Sequence, residues 1–250
     1  MNILLDLSFD GTDYCGFQVQ KNGRSVCQTL QDAMEQLLGH RPDVKGCSRT
    51  DAGVHALHYA LNFHSDTRIP LEKLPLALNQ KLPASIRVNQ AKQVPQEFHA
   101  RYAAHAKTYP YYIWNSAIDS PFDAGYHYRL PGLLDEDAMQ AAAQKFVGTH
   151  DFTSLCSAGC EVAQRGNTVR TITQCTVSRQ GQRVCISVTA DGYLYNMVRI
   201  LAGTLVLAGQ HKLEPEQVTE ILQAKDRSKA GPTLPAQGLF LAQIDYPEQP

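Results

Sequence analysis

The chain has 250 residues, enough for one large domain or two of roughly 100–150 residues, each with its own core. With 43% hydrophobic and 19% charged residues it has an ordinary globular composition. The longest apolar run, 200–209, reaches about half the length a bilayer span requires, which excludes a membrane helix. A formal net charge of −1 counts against a generic nucleic-acid binder but leaves room for a local basic groove.

Seven cysteines, an odd number with no Cys-x-x-Cys, point to reduced thiols and a cytoplasmic location. Asp6 and Asp10 interrupt the first apolar stretch, so it reads neither as a signal peptide nor as an anchor.

In chain order, Asn2 to Phe9 alternates Ile3, Leu5, Leu7 and Phe9, the period of a half-buried strand. Val26 to Leu38 carries apolar residues at helical spacing, with Ser25 as N-cap and Gly39 as C-cap. Strands are expected over 44–48 and 57–64, a short helix over 74–81 with Pro75 in its first turn, and a strand over 86–94. This β-α-β-β-α-β order is that of a ferredoxin-like half.

A second round begins near Ala106. It predicts a strand over 108–115, a helix over 135–147 and a hairpin of 169–178 with 183–189 across Arg179-Gln180-Gly181-Gln182. An apolar helix over 196–208, capped by Asn196, an amphipathic helix over 214–224 and a last strand over 239–245 complete it. The expected fold is α+β. It has two ferredoxin-like halves, 1–105 and 106–250, with antiparallel or mixed sheets flanked by helices and a cleft between them that suits a substrate.

Three stretches carry chemistry. The first is Cys47-Ser48-Arg49-Thr50-Asp51-Ala52-Gly53-Val54-His55-Ala56, which puts Asp51 on a turn where Gly53 can take a positive φ. By itself it is either a plain loop with a turn-capping Asp or a carboxylate offered to a ligand beside Arg49.

In the second, Lys107-Thr108-Tyr109-Pro110-Tyr111-Tyr112-Ile113-Trp114, strand alternation puts Tyr109 and Tyr111 on one face and Tyr112 and Trp114 on the other. Such aromatics are sheet core, or one of them stacks on an unstacked base. The third, Gly192 to Leu205, sets a lone Arg199 in an apolar helix, where it either snorkels to water or pairs with an acid.

Cys47, Asp51, His55 and His58 could be read as metal ligands, but their spacing fits no established zinc pattern, and Cys156-x-x-x-Cys160 after His150 is equally weak. A non-catalytic RNA-binding module of two ferredoxin-like halves is a third reading; it lacks the aromatic-rich RNP pattern.

Together, Arg49-Thr50-Asp51-Ala52-Gly53-Val54-His55-Ala56, Lys107-x-Tyr109-x-Tyr111 and the Arg199 segment resemble the three motifs of the TruA family of tRNA pseudouridine synthases, in the family's order. Phe98-His99-Ala100-Arg101, Gly148 to Thr153, Val169 to Ile172 and Gly231 to Leu239 extend the resemblance over nearly the whole chain. Ser48 stands where the family usually has Gly, Phe17 where Trp is more common and Leu234 where Ala is more usual; 155–167 matches poorly.

The resemblance implies the isomerisation of uridine to pseudouridine at positions 38 to 40 of the tRNA anticodon arm, without cofactor or metal, by a homodimer that the tRNA bridges. It implies Asp51 as the nucleophile, Tyr109 lining the active site and Arg199 paired with Asp51. Arg49 is the candidate to fill the space left by an extruded uridine or to hold its phosphate. Lys21, Arg24, Arg101, Lys107, Arg165 and Arg170 are candidate phosphate contacts.

Overall fold

The computed structural model describes residues 1–21, 23–157 and 166–247. Two compact units emerge, one of Met1–His105 with the segment from Phe240 onward, the other of Ala106–Leu239.

In the first unit, β1 (Asn2–Phe9) lies between β3 (His55–His64) and β4 (Ile86–Val94), antiparallel to both. β2 (Lys45–Gly46) pairs antiparallel with the outer side of β3, so the order β4-β1-β3-β2 is ferredoxin-like. Alternation decides which face is core: Ile3, Leu5 and Leu7 oppose Phe63, Leu61 and Tyr59, and all six are fully buried. Each such side chain contributes on the order of 1.5–3 kcal/mol of burial.

Helix α1 (Val26–Leu38) has the expected bounds. The Ser25 hydroxyl accepts from the Gln28 N–H, and Gly39 takes the left-handed conformation at φ 78°. α2 (Leu74–Asn79) starts at the expected residue, with Pro75 in its first turn, but ends two residues short of the expected Lys81.

The expected strand 44–48 shrinks to two residues, while its partner begins two residues early, at His55. The stretch read as one strand over 239–245 is two short ones, β10 (Phe240–Leu241) and β11 (Gln243–Asp245). β10 adds parallel to β3 at His55 and Ala56. The last residues therefore belong with the first unit, which moves the expected 106–250 boundary back to Leu239.

In the second unit, β5 (Ala106–Trp114), β9 (Arg183–Ala190), β8 (Val169–Gln180) and β7 (Gly148–Asp151) are antiparallel neighbours in that order. β6 (Tyr128–Arg129) adds parallel to β5, and neither it nor β7 was expected. The β8–β9 ladder continues through Arg179 and Gln180, leaving a two-residue turn in which Gly181 sits at φ 61°.

α3 (Glu136–Gln144) is capped by Asp135, whose carboxylate accepts from the N–H groups of Asp137 and Ala138, and packs on β8 and on α4 (Met197–Gly209). α5 (Gln217–Ala224) follows. Among the described residues, no helix is long and apolar enough to cross a membrane.

Candidate active site

The Asp51 loop leaves β2 and re-enters the sheet at β3. Its turn is closed by the Val54 N–H, which donates to the Asp51 carbonyl at 3.2 Å, and Gly53 takes the left-handed conformation at φ 76°. A second segment, 10–17, grips this loop from the side. The Phe17 N–H donates to the Thr50 carbonyl and the Gly53 N–H to the Tyr14 carbonyl, both at 3.3 Å.

The two segments touch so closely that side chains are forbidden between them. A Cβ on Gly11 would lie 2.0 Å from the Val54 oxygen, and one on Gly16, at φ 105°, 2.4 Å from the Thr50 oxygen. The backbone on both sides of Asp51 is therefore held by fixed contacts, and its side chain is half-buried. Arg49 is exposed, open to a ligand from solvent.

Ser48 takes no positive φ, so the absence of the family's usual glycine introduces no strain there. Its carbonyl accepts from the hydroxyl of buried Tyr59, whose ring stacks on Phe17 at 4.2 Å. Phe17 thus has a structural role, wedging the loop's base against the core.

His55 and His58 flank a bulge in β3, where Leu7 pairs with Tyr59 but Phe9 with Ala56, and they meet different partners. His55 is buried, accepts from the Gly11 N–H at 3.0 Å and stacks on Phe240 at 4.7 Å. His58 is exposed and meets Asp6 at 3.1 Å. No group of three or more metal-ligating side chains converges among the described residues.

In the second unit, Lys107, Tyr109, Tyr111 and Ile113 share the buried face of β5, while Tyr112 and Trp114 are half-buried on the other. Tyr109 meets Tyr193 edge-on at 4.9 Å, and the Tyr193 hydroxyl lies within hydrogen-bond distance of the Lys107 and Val188 carbonyls. Desolvation holds the Tyr193 hydroxyl well above its ordinary range, so it stays neutral and fixes the Tyr109 ring by packing.

Tyr111 is core, as expected, and donates to the Pro235 carbonyl at 2.8 Å. Lys107 is only 7% exposed, which differs from the open phosphate contact expected of it. Two-residue alternation puts it on the face of Tyr109.

Arg199 occupies the first turn of α4. Its Nε donates to the Leu234 carbonyl and its Nη1 to the Asn196 Oδ1, each at 2.6 Å, which fixes the plane of the guanidinium. Asn196 does not cap the helix by its side chain, as the sequence suggested. It sits at φ 62°, and its amide bridges Arg199 and the Ser157 hydroxyl instead.

The Leu234 carbonyl belongs to a strap, 231–235, laid across α4. A Cβ on Gly203 would lie 1.9 Å from the Pro232 oxygen and one on Gly231 2.5 Å from Gly203 C and Thr204 N, while the Gly231 N–H donates to the Thr204 hydroxyl at 2.9 Å. Sequence reasoning quoted these glycines without a role. The available signal was a glycine inside an apolar helix, which calls for a packing reason.

The remaining basic candidates scatter. Lys21, Arg24 and Arg101 are exposed, the Arg24 Nε donating to the Thr29 hydroxyl at 2.9 Å. Arg170 bonds locally to Asn167 and to the Val169 carbonyl. Arg165 and Cys160 lie outside the described residues. Asp51 is carried by the first unit, Tyr109 and Arg199 by the second.

The family model described as tRNA pseudouridine synthase matches residues 7–103 and 142–247. Relatives called tRNA pseudouridine synthase A include one from Caldicellulosiruptor bescii and one from Clostridium acetobutylicum. Both are 42% identical over 245 residues, spanning 98% of this chain and 99% of theirs. Among solved structures, a Cbf5-Nop10-Gar1 complex aligns over 81% of this chain and 53% of its own at 11% identity, with a TM-score of 0.35 that is too low to support any inference. On the matched motifs and near full-length identity, this chain belongs to the tRNA pseudouridine synthase family.

Proposed function

We propose that this enzyme converts uridines at positions 38 to 40 of the tRNA anticodon arm to pseudouridine, with Asp51 as the nucleophile. The observation that carries this reading is the clamped Asp51 turn, whose backbone is fixed by close contacts on both sides. A nucleophile held in this way approaches its target atom without first losing conformational freedom.

In the reaction the uridine N1–C1′ bond breaks, the uracil turns, and a C5–C1′ bond forms. The C5 proton is lost and N1 gains one, so the balance is that of a redox-neutral isomerisation. Asp51 attacks the ribose C1′ or the uracil C6, or takes the proton of a glycal route. Arg199 is assigned as its counter-ion, because a neighbouring guanidinium favours the ionised carboxylate in a desolvated site.

Tyr109 is assigned to stack on the uracil, with Tyr193 behind it. A uridine in a stem must first be extruded, at a cost of a few kcal/mol, and exposed Arg49 is assigned to occupy the vacated space or hold the phosphate. Arg24 and Arg101 are proposed phosphate contacts, and Lys107, being buried, is proposed as a cation beside Tyr109 instead. Action in the cytoplasm as a homodimer is carried over from the family resemblance.

The test separates binding from turnover. Asp51→Asn keeps the shape of the side chain but not its charge, so tRNA affinity and melting should stay near wild type while product disappears. Sequencing chemistry specific for pseudouridine then maps the modified positions. Multiple turnover by purified Asp51→Asn refutes the assignment, and product outside 38–40 refutes the site specificity.

A further inference from the structure

Outside the Asp51 loop, the turn 95–103 that follows β4 is held by buried side chains from β1 and β3. Asn2 and Asn62, 0% and 1% exposed, are committed to it. The Asn2 amide donates to the Pro95, Gln96 and Phe98 carbonyls at 2.9–3.3 Å. The Asn62 amide donates to the Phe98 carbonyl at 3.0 Å, and its oxygen accepts from the Ala100 N–H at 2.8 Å.

From the other side the Tyr246 hydroxyl donates to the Ala100 carbonyl at 2.8 Å, and the Tyr246 ring meets Phe98 at 5.3 Å. Two buried amides are thus used up on a surface turn, which a chain tolerates only when each polar atom is satisfied.

What this frame displays is an aromatic ring in solvent. Tyr102 is 79% exposed, with its ring centroid 4.4 Å from that of His99. The His99 Nδ1 accepts from the Arg101 N–H at 3.1 Å, which leaves its proton on Nε2. Burial, with help from the Lys45 and Arg101 charges, lowers the tendency of His99 to protonate, which favours its neutral ring. Arg101 and Lys45 are both exposed, Lys45 with Asp43 at 2.6 Å. A preorganised aromatic platform beside cations is the arrangement that stacks a nucleobase and holds its phosphate.

We infer that the 98–102 turn is a second RNA-docking element, in which Tyr102 and His99 stack an unpaired base of the substrate RNA while Arg101 and Lys45 hold its backbone. This rests on the tRNA reading above and adds to it a contact away from the Asp51 loop. Because the turn is rigid before binding, little ordering entropy opposes the contact.

The experiment measures affinity of the full-length enzyme for unmodified tRNA transcript, KM for tRNA, and sedimentation. Tyr102→Ala should weaken binding about 5- to 100-fold, the range for losing one base–aromatic stack, and raise KM by a similar factor. Tyr102→Trp should stay within about threefold of wild type. Arg101→Gln should reduce the slope of log affinity against log salt by about one.

Wild-type affinity and KM in Tyr102→Ala, with wild-type enzyme active on tRNA, overturn this inference alone. A wild-type enzyme that neither binds nor modifies tRNA overturns the underlying reading. A smaller oligomer in Tyr102→Ala, with tRNA affinity unchanged per protomer, makes the turn a contact with a second copy and overturns the RNA assignment.

Discussion

Gly203→Ala tests whether the strap over α4 holds Arg199 in place. Helix propensity alone predicts a gain, since Ala is better than Gly in a helix interior by about 1 kcal/mol. The structure predicts the opposite. The new methyl would lie 1.9 Å from the Pro232 oxygen and 3.0 Å from its carbon, and both are backbone atoms that no rotamer change can remove.

Either the strap lifts by more than 1 Å or the helix bends, an overpacking strain of about 1–3 kcal/mol. Lifting the strap also weakens the Gly231–Thr204 and Arg199–Leu234 hydrogen bonds, together about 1–2 kcal/mol. The net expectation is a loss of about 1–4 kcal/mol in denaturant melts at neutral pH. Pseudouridine formation should fall further than the folded fraction does, because the Arg199 guanidinium loses the carbonyl that orients it. A Gly203→Ala enzyme as stable and as active as wild type would refute the reasoning, since propensity would then have outweighed a clash that could not have been there.

Three further outcomes follow from the same structure. If Asp51 and Arg199 are a pair, a double-mutant cycle of Asp51→Asn with Arg199→Met should give a coupling of about 0.5–3 kcal/mol in denaturant melts; strict additivity would detach Arg199 from Asp51. Burial works against ionisation of Asp151, but its bonds to Lys225, Thr153 and Thr168 outweigh that and hold the carboxyl well below the ordinary range. Its contribution to stability is therefore full above about pH 4 and fades as pH falls toward the lower folded value. Asp151→Asn should flatten that acid limb of the pH–melting curve, and an unchanged limb would count against the pairing. Activity should survive EDTA and assay in metal-free buffer, because buried His55 accepts from the Gly11 N–H and stacks on Phe240 while exposed His58 meets Asp6; a loss that zinc alone restores would contradict this.

What the sequence determined by itself was whatever local physics decides. Alternation along 2–9 and the Ser25…Gly39 caps set β1 and α1 to the residue, because strand period and capping act within a few positions. The α+β class, the Gly53 turn that carries Asp51 and the two faces of the Tyr109 strand were legible for the same reason, and family motifs named the chemistry.

Only the tertiary structure decided the rest, through contacts between residues far apart in the chain. The C-terminal segment belongs with the first unit because Phe240 and Leu241 complete the edge of β3, and no local signal marks which edge a short strand will choose. Asn196 abandons its cap to orient Arg199 because a strap some 35 residues downstream supplies the second anchor. Lys107 reads as a surface cation until the strand's face is known to be core. Asn2, an ordinary polar residue at the start of a strand, turns out to be fully buried because its amide holds a turn 93–96 residues away. Hydrogen bonds of this range leave no periodicity in the sequence, so they become visible only once the chain has folded.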